Sequence, residues 1–309
     1  MRLKLFIVAV ALVVSAGLLT AGLWAHALMG RMGCLELARD SARIHLPEPQ
    51  DGVVRFVAFG DTGTGEPAQM NTARAAQKIC RAKGCQFAVL LGDNFYPHGM
   101  TRGDKTQYRR LIEDPYGPLG VPIFPVLGNH DLGHHPIDQV KASRRHRQWR
   151  MPNFRYDFRA GPVHFYAANS NCGALEWWRL SGTVRREPNI WNIVLGHHPI
   201  YSQGPHGDAN GLDKTAWRWL VESKIDVMLS GHNHLIEHLQ VPGAPQEYFV
   251  LGSSGGNREE KSTPTPSGAE RRFHFLAAGF AWLEVRERSL HVEIYDEQAN
   301  LIYRYDKQR

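Results

Sequence analysis

Cysteine is scarce in this chain. There are four in 309 residues, at positions 34, 80, 85 and 172, and none stands in a C-x-x-C pair. Cysteine-bound zinc is therefore excluded as the organising element. Internal repeats and long linkers are also missing, so the length suits one large domain. The glycine-rich turn Gly252-Ser253-Ser254-Gly255-Gly256 lacks the Lys-Ser/Thr of a phosphate-cradling P-loop and reads as a plain turn. Neither sign of charge is in great excess. The 36 Lys and Arg against 30 Asp and Glu leave a net charge of +6. That balance favours anionic partners in general, without choosing among phosphate esters, nucleic acid and anionic lipid. The apolar and charged fractions, 43% and 21%, are those of an ordinary globular protein.

One long hydrophobic run is present. Arg2 and Lys4 precede an uncharged, mostly apolar stretch from Leu5 to Gly30. A bilayer-spanning helix needs about 20 such residues, and positive charge ahead of it predicts a cytoplasmic N-terminus. Ala25-His26-Ala27 has the pattern of a signal-peptidase site, but a cleavable signal has a shorter apolar core of about 7–15 residues. The longer run favours an uncleaved membrane anchor over cleavage after Ala27, which would give a periplasmic or secreted protein. Either way the rest of the chain is exported. Residues 1–30 are set apart as signal anchor or signal peptide, 31–52 as a tether ending in Pro47, Pro49 and Gly52, and 53–309 as the folded domain. Export permits disulfides. Cys80 and Cys85 flank a helix end at Arg81-Ala82-Lys83-Gly84, which leaves open a local bridge or two separate thiols.

Along the domain, a helix is expected over 67–83, with Pro67 in its first turn and Gly84 at its stop. Others are expected over 106–113, 174–187 and 215–223, with Trp177 and Trp178 read as core packing. Val121–Leu127 reads as a strand despite Pro122 and Pro125, residues that sheets tolerate only at edges or strand starts. Alternation through 280–305 predicts antiparallel strands closing a second sheet. Residues 141–159 combine Lys141, Arg144, Arg145, Arg147, Arg150, Arg155 and Arg159 with Trp149, Phe154 and Tyr156. Such a mixture suits single-stranded nucleic acid, but a solvated loop followed by an alternating strand is the reading preferred here.

The chemistry is concentrated in short blocks, each at the end of an apolar run. They are Gly60-Asp61-Thr62-Gly63, Gly92-Asp93-Asn94-Phe95-Tyr96, Gly128-Asn129-His130-Asp131, Gly196-His197-His198-Pro199 and Gly231-His232-Asn233-His234. The preceding runs, Val53–Phe59, Phe87–Leu91, Ile123–Leu127, Ile193–Leu195 and Ile225–Leu229, read as strands buried on both faces. In open α/β sheets the loops beyond the carboxyl ends of the strands form the site. Oxygen and nitrogen donors without cysteine suit hard or borderline cations. Asp61, Asp93, Tyr96, Asn129, His197, His232 and His234 are enough for two ions that share a ligand, the arrangement that clamps a phosphoryl displacement.

In these residues and their order the chain resembles the calcineurin-like metallophosphoesterases, and within them the short purple acid phosphatases of the tartrate-resistant type. Tyr96, three positions after Asp93, carries the narrower likeness. The resemblance implies a four-layer α/β/β/α sandwich of two mixed sheets; periodicity alone gives only α/β with an antiparallel addition. It makes 53–309 the catalytic domain and implies hydrolysis of phosphate monoesters by a metal-activated hydroxide. It implies Fe³⁺ in a first site of Asp61, Asp93, Tyr96 and His234, and Fe²⁺, Zn²⁺ or Mn²⁺ in a second of Asp93, Asn129, His197 and His232. Asp93 bridges the two. His130 is expected to bind phosphate or donate a proton to the leaving group, and His206, nine residues after His197, to face the substrate. Asp131 is expected to orient His130 or another ligand. His198 is read as non-ligating, and His134 and His135 as surface. The partner is then a small phosphate ester, with the membrane met through the N-terminal helix. Two other readings stay open: a phosphodiesterase acting on nucleotides or lipids, and a membrane-tethered binding protein with a vestigial site.

Overall fold

The apolar runs become buried strands, as their composition requires. In chain order these are β1 (Ala42–His45), β2 (Val54–Phe59), β3 (Phe87–Leu91), β4 (Ile123–Val126), β5 (Tyr156–Ala160), β6 (Val163–Ala167), β7 (Trp191–Leu195), β8 (Val227–Ser230), β9 (Ile236–Gln240), β10 (Glu247–Leu251), β11 (Glu270–Phe275), β12 (Gly279–Val285), β13 (Ser289–Asp296) and β14 (Leu301–Gln308). This computed structural model describes residue 34, residues 42–46, residue 49, and residues 51–256 and 264–309. The apolar stretch 5–30 lies outside the described residues. Among the described residues no helix is long and apolar enough to cross a membrane.

Among the described residues the strands form two mixed sheets, ordered β14-β13-β12-β2-β3-β4 and β1-β5-β6-β7-β8-β10-β9-β11. Strands β2, β3 and β4 run parallel, as do β6, β7 and β8. The segment 280–305 does not close a second sheet: β12 pairs antiparallel with β2 and extends the sheet that begins the domain. Strand β4 is an edge strand, which is why it accommodates Pro125. Ala42–His45, inside the stretch read as a tether, pairs with β5 as the opposite sheet's edge.

The sheets meet through phenylalanines. Phe56 and Phe87 stack at 5.1 Å within one sheet, and Phe158 and Phe165 at 4.7 Å within the other. Phe87 meets both partners edge-on, at 5.5 and 5.3 Å. All four rings are fully buried, so their geometry contributes on top of the area they remove from water.

Helices pack against the sheets. Helix α1 (Pro67–Lys83) begins at a proline and ends at Gly84, whose φ of 86° suits glycine. Arg81 and Lys83 lie in its last turn, where cations complement the helix dipole. Lys83 pairs with Glu293 of β13, and the Trp282 indole N–H of β12 donates to the Gly84 carbonyl at 3.0 Å. A Cys80–Cys85 disulfide closes this helix end, so the bridge left open by the sequence is present. No described cysteine is free, which fits an oxidising compartment.

Helix α2 (Ala174–Thr183) is four residues shorter than expected, and α3 (Gly211–Leu220) starts four earlier, because the Asn210 side chain caps it by accepting from the Asp213 N–H. Trp177 and Trp217 pack edge-on at 5.0 Å between these helices, and the Trp217 N–H donates to the Tyr248 hydroxyl at 3.2 Å. Trp178 is 63% exposed and is not part of the core. Its neighbour's ring already fills the inward face, and one residue along a helix turns the side chain by about 100°. Trp217→Ala should cost about 3–5 kcal/mol, read as a lower midpoint in urea unfolding.

Candidate metal centre

Each block sits where a parallel strand ends. Asp61 follows β2, Asp93 follows β3, Asn129 follows β4, His197 follows β7 and His232 follows β8. Three strands come from one sheet and two from the other, so the rim lies where the carboxyl edges of both sheets meet. Backbone bonds lace the loops together across it. The Asp61 N–H donates to the Gly92 carbonyl at 3.1 Å and the Gly231 N–H to the His197 carbonyl at 2.9 Å.

The backbone is strained at the donors themselves. Asp61, Asp93 and His232 have φ of 55°, 51° and 71°. Non-glycine residues in this left-handed region cost of order 1–3 kcal/mol and concentrate at functional sites. The preceding glycines make room. A Cβ at Gly92, with φ of 91°, would stand 2.5 Å from His197 Nδ1, and one at Gly128 only 2.1 Å from Asp93 Oδ1.

Two donor groups result. In one, the Tyr96 hydroxyl lies 3.1 Å from Asp61 Oδ1 and 3.1 Å from His234 Nε2, and the last two stand 3.4 Å apart. In the other, Asn129 Oδ1 lies 3.0 Å from His197 Nε2 and 3.1 Å from His232 Nδ1, and Asp93 Oδ2 lies 3.5 Å from His197 Nε2. Asp61, Asp93 and His197 each offer an atom within 4.8 Å of the others, which joins the groups. A carbonyl can only accept, so the Leu91 oxygen at 2.9 Å from His197 Nδ1 puts the proton there and leaves Nε2 as a lone-pair donor toward the cluster.

The electrostatics fit a cation. Burial first, then the charges of Asp61 and Asp93, hold the Tyr96 phenol far above its ordinary range. Burial disfavours charge on His197, but Asp93 and Asp61 outweigh it and raise its pKa. Burial and the surrounding imidazoles push His232 well down. A neutral imidazole is the form that binds metal. Anionic oxygens beside neutral nitrogens, without sulfur, match hard or borderline ions.

Residues beyond the expected donors complete the rim. His198 lies within 4.8 Å of both His197 and His232 in donor atoms, and burial pushes its pKa down to about 3. Ser170 Oγ receives the His197 and His198 N–H groups at 3.1 and 3.0 Å. Nothing in the sequence marked Ser170, because it follows a strand, β6, that carries no glycine-led block. His206 stacks on His232 at 4.4 Å, and its N–H donates to Asn233 Oδ1 at 2.9 Å. The turn at 252–256 lies behind Asp61, with the Ser254 N–H donating to the Gly60 carbonyl at 3.2 Å.

Asp131 does not face the His130 ring. Its buried carboxylate receives N–H groups from Asn94 and Phe95 at 3.1 Å and from Gly128 at 2.8 Å, clamping the second block to the third. His130 Nδ1 lies instead 2.8 Å from the Pro97 carbonyl. Asp131→Ala would strand these buried donors at about 1–3 kcal/mol each. A fall in melting temperature together with reduced metal content is expected; a stable variant with full metal content would contradict the clamp.

A family model described as calcineurin-like phosphoesterase matches residues 54–235. The chain belongs to the calcineurin-like phosphoesterase family. It is a hydrolase of phosphoric esters. Among relatives, purple acid phosphatase 3 of Arabidopsis thaliana is 26% identical over 86% of this chain and 80% of that protein. Tartrate-resistant acid phosphatase type 5 of Oryctolagus cuniculus is 27% identical over 81% and 90%. Among solved structures, the purple acid phosphatase of yellow lupin seeds has a TM-score of 0.64 at 16% identity, over 83% of this chain and 54% of that one. The Plasmodium GAP50 inner-membrane-complex anchor has a TM-score of 0.68 at 19% identity, over 83% and 89%. At these identities both structural likenesses speak for the fold alone.

Proposed function

We propose that this phosphoesterase is an acid-phosphatase-like hydrolase of phosphate monoesters with two bound cations. The observation that carries the reading is the pair of donor groups, joined through Asp61, Asp93 and His197 within 4.8 Å, on a rim fed by both sheets. In this proposal Asp61, Asp93, Tyr96 and His234 hold the first ion and Asp93, Asn129, His197 and His232 the second. Tyr96 supports Fe³⁺ in the first, because a buried phenol beside two carboxylates needs a strong Lewis acid to act as a phenolate. The neutral amide and imidazoles suit a divalent Fe²⁺, Zn²⁺ or Mn²⁺ in the second. When bound, such ions make water a nucleophile near neutral pH and offset phosphoryl charge. Residues 53–309, with the β1 strand added to their sheet, are the catalytic domain in an α/β/β/α arrangement, exported and held at the membrane by residues 1–30.

The protein's own part in the reaction centres on His130. Its Nδ1–H donates to the Pro97 carbonyl, which leaves Nε2 for the substrate. A protonated imidazole there binds a phosphoryl oxygen and passes its proton to the leaving alcohol. His206, stacked on His232, lines the leaving-group side. His130→Ala should lower kcat by about 10²-fold with metal content kept, and should slow alkyl phosphates more than aryl phosphates, which leave without help. Equal slowing would remove the proton-donor role and leave phosphate binding alone.

Turnover of phenyl phosphate against diphenyl phosphate by purified protein of measured metal content tests the whole reading. Faster monoester turnover is expected. A preference for the diester would make the protein a diesterase, and no turnover at full metal content would make the site vestigial.

A further inference from the structure

Beside the imidazoles the rim opens into a cavity of about 370 Å³. His206 and His232 form its near end, and Leu132, Trp177, Asp208 and Asp213 are among its other walls. Among the described residues no lysine or arginine lines it. Asp208 is neutralised by Lys214 and accepts from Ser267 and Gly268 as well. Asp213 differs. It accepts from the Ala174 N–H at 2.6 Å and from Asn210 Nδ2 at 2.5 Å, with no ion pair among the described residues, so the wall keeps a negative charge. The Trp177 side chain, 1% exposed, closes the wall beside it.

We propose that this cavity holds the alcohol part of the substrate and selects phosphate monoesters of uncharged or cationic alcohols, such as polyols and amino alcohols, over those whose alcohol carries a second negative charge. This rests on the phosphatase reading and narrows it. The phosphoryl group already brings its charge to the cation site. A second anion would lie in a cavity whose unpaired charge is a carboxylate. A like charge at about 4 Å in water-like surroundings is worth roughly fivefold, so discrimination of at least that size is expected.

The test compares kcat/KM for 2-hydroxyethyl, 2-aminoethyl and carboxymethyl phosphate, with phenyl phosphate as reference. The carboxymethyl ester should be at least about fivefold poorer than the hydroxyethyl ester, mainly through KM. Leu132→Lys places a cation on a wall that is already 38% exposed. That variant and Asp213→Asn should each narrow the gap severalfold. Equal or better use of the carboxymethyl ester by the unaltered protein would overturn the inference, as would an unchanged gap in both folded variants. The wild-type comparison decides alone if a variant does not fold. Failure on every ester, phenyl phosphate included, would remove the phosphatase reading itself and this inference with it.

Discussion

Asp93→Asn is expected to lose both metals together and to abolish turnover. The residue stands at the junction of the two donor groups. One carboxylate oxygen receives the His130 N–H at 2.9 Å, and the other lies 3.5 Å from His197 Nε2. An amide matches the shape but removes the negative charge and turns an N–H₂ group toward one of those neighbours. Cations contribute several kcal/mol to a phosphoryl transition state, and each 1.36 kcal/mol is tenfold in rate. A loss of about 10³-fold or more follows. Asn129→Ala is the control. It touches only His197 and His232 among the donors, so it should chiefly deplete the second ion. Metal analysis by mass spectrometry separates the two. Full occupancy of both sites in both variants would refute the assignment of ligands.

Tyr96→Phe should erase or strongly shift a visible absorption band while the fold persists. The ring is 9% exposed and packs 4.5 Å from the His130 ring, so phenylalanine keeps the contact. What is lost is the hydroxyl that meets Asp61 and His234. Burial and the two carboxylates hold the phenol protonated in the absence of a strong cation. A coloured oxidised protein therefore implies a phenolate on a trivalent ion. Colourless, active, iron-free protein would end the purple-phosphatase proposal and leave the wider phosphoesterase family intact.

Much of the donor set could be read from the chain because each block combines two local signals. A buried apolar run precedes it, and a glycine opens it. The glycines at 92 and 128 are there because a Cβ would collide with His197 and Asp93, so the close approach of distant blocks leaves a local trace. Helix boundaries were less legible. The start of α3 depends on the Asn210 cap, and one asparagine in a loop gives no warning of that.

The sequence by itself determined the chemistry: which side chains are available, that they are oxygen and nitrogen donors, and that each follows a strand. Periodicity and turn residues are local properties, and local properties survive in a string of letters. Tertiary structure alone decided the partnerships. It split the five strands between two sheets, sent 280–305 back to β2, turned Asp131 away from His130 to clamp two loops, and brought His198, Ser170 and the cavity wall to the rim. These outcomes depend on which distant segments pack together, and the packing energy is shared across hundreds of contacts that no short stretch of sequence carries.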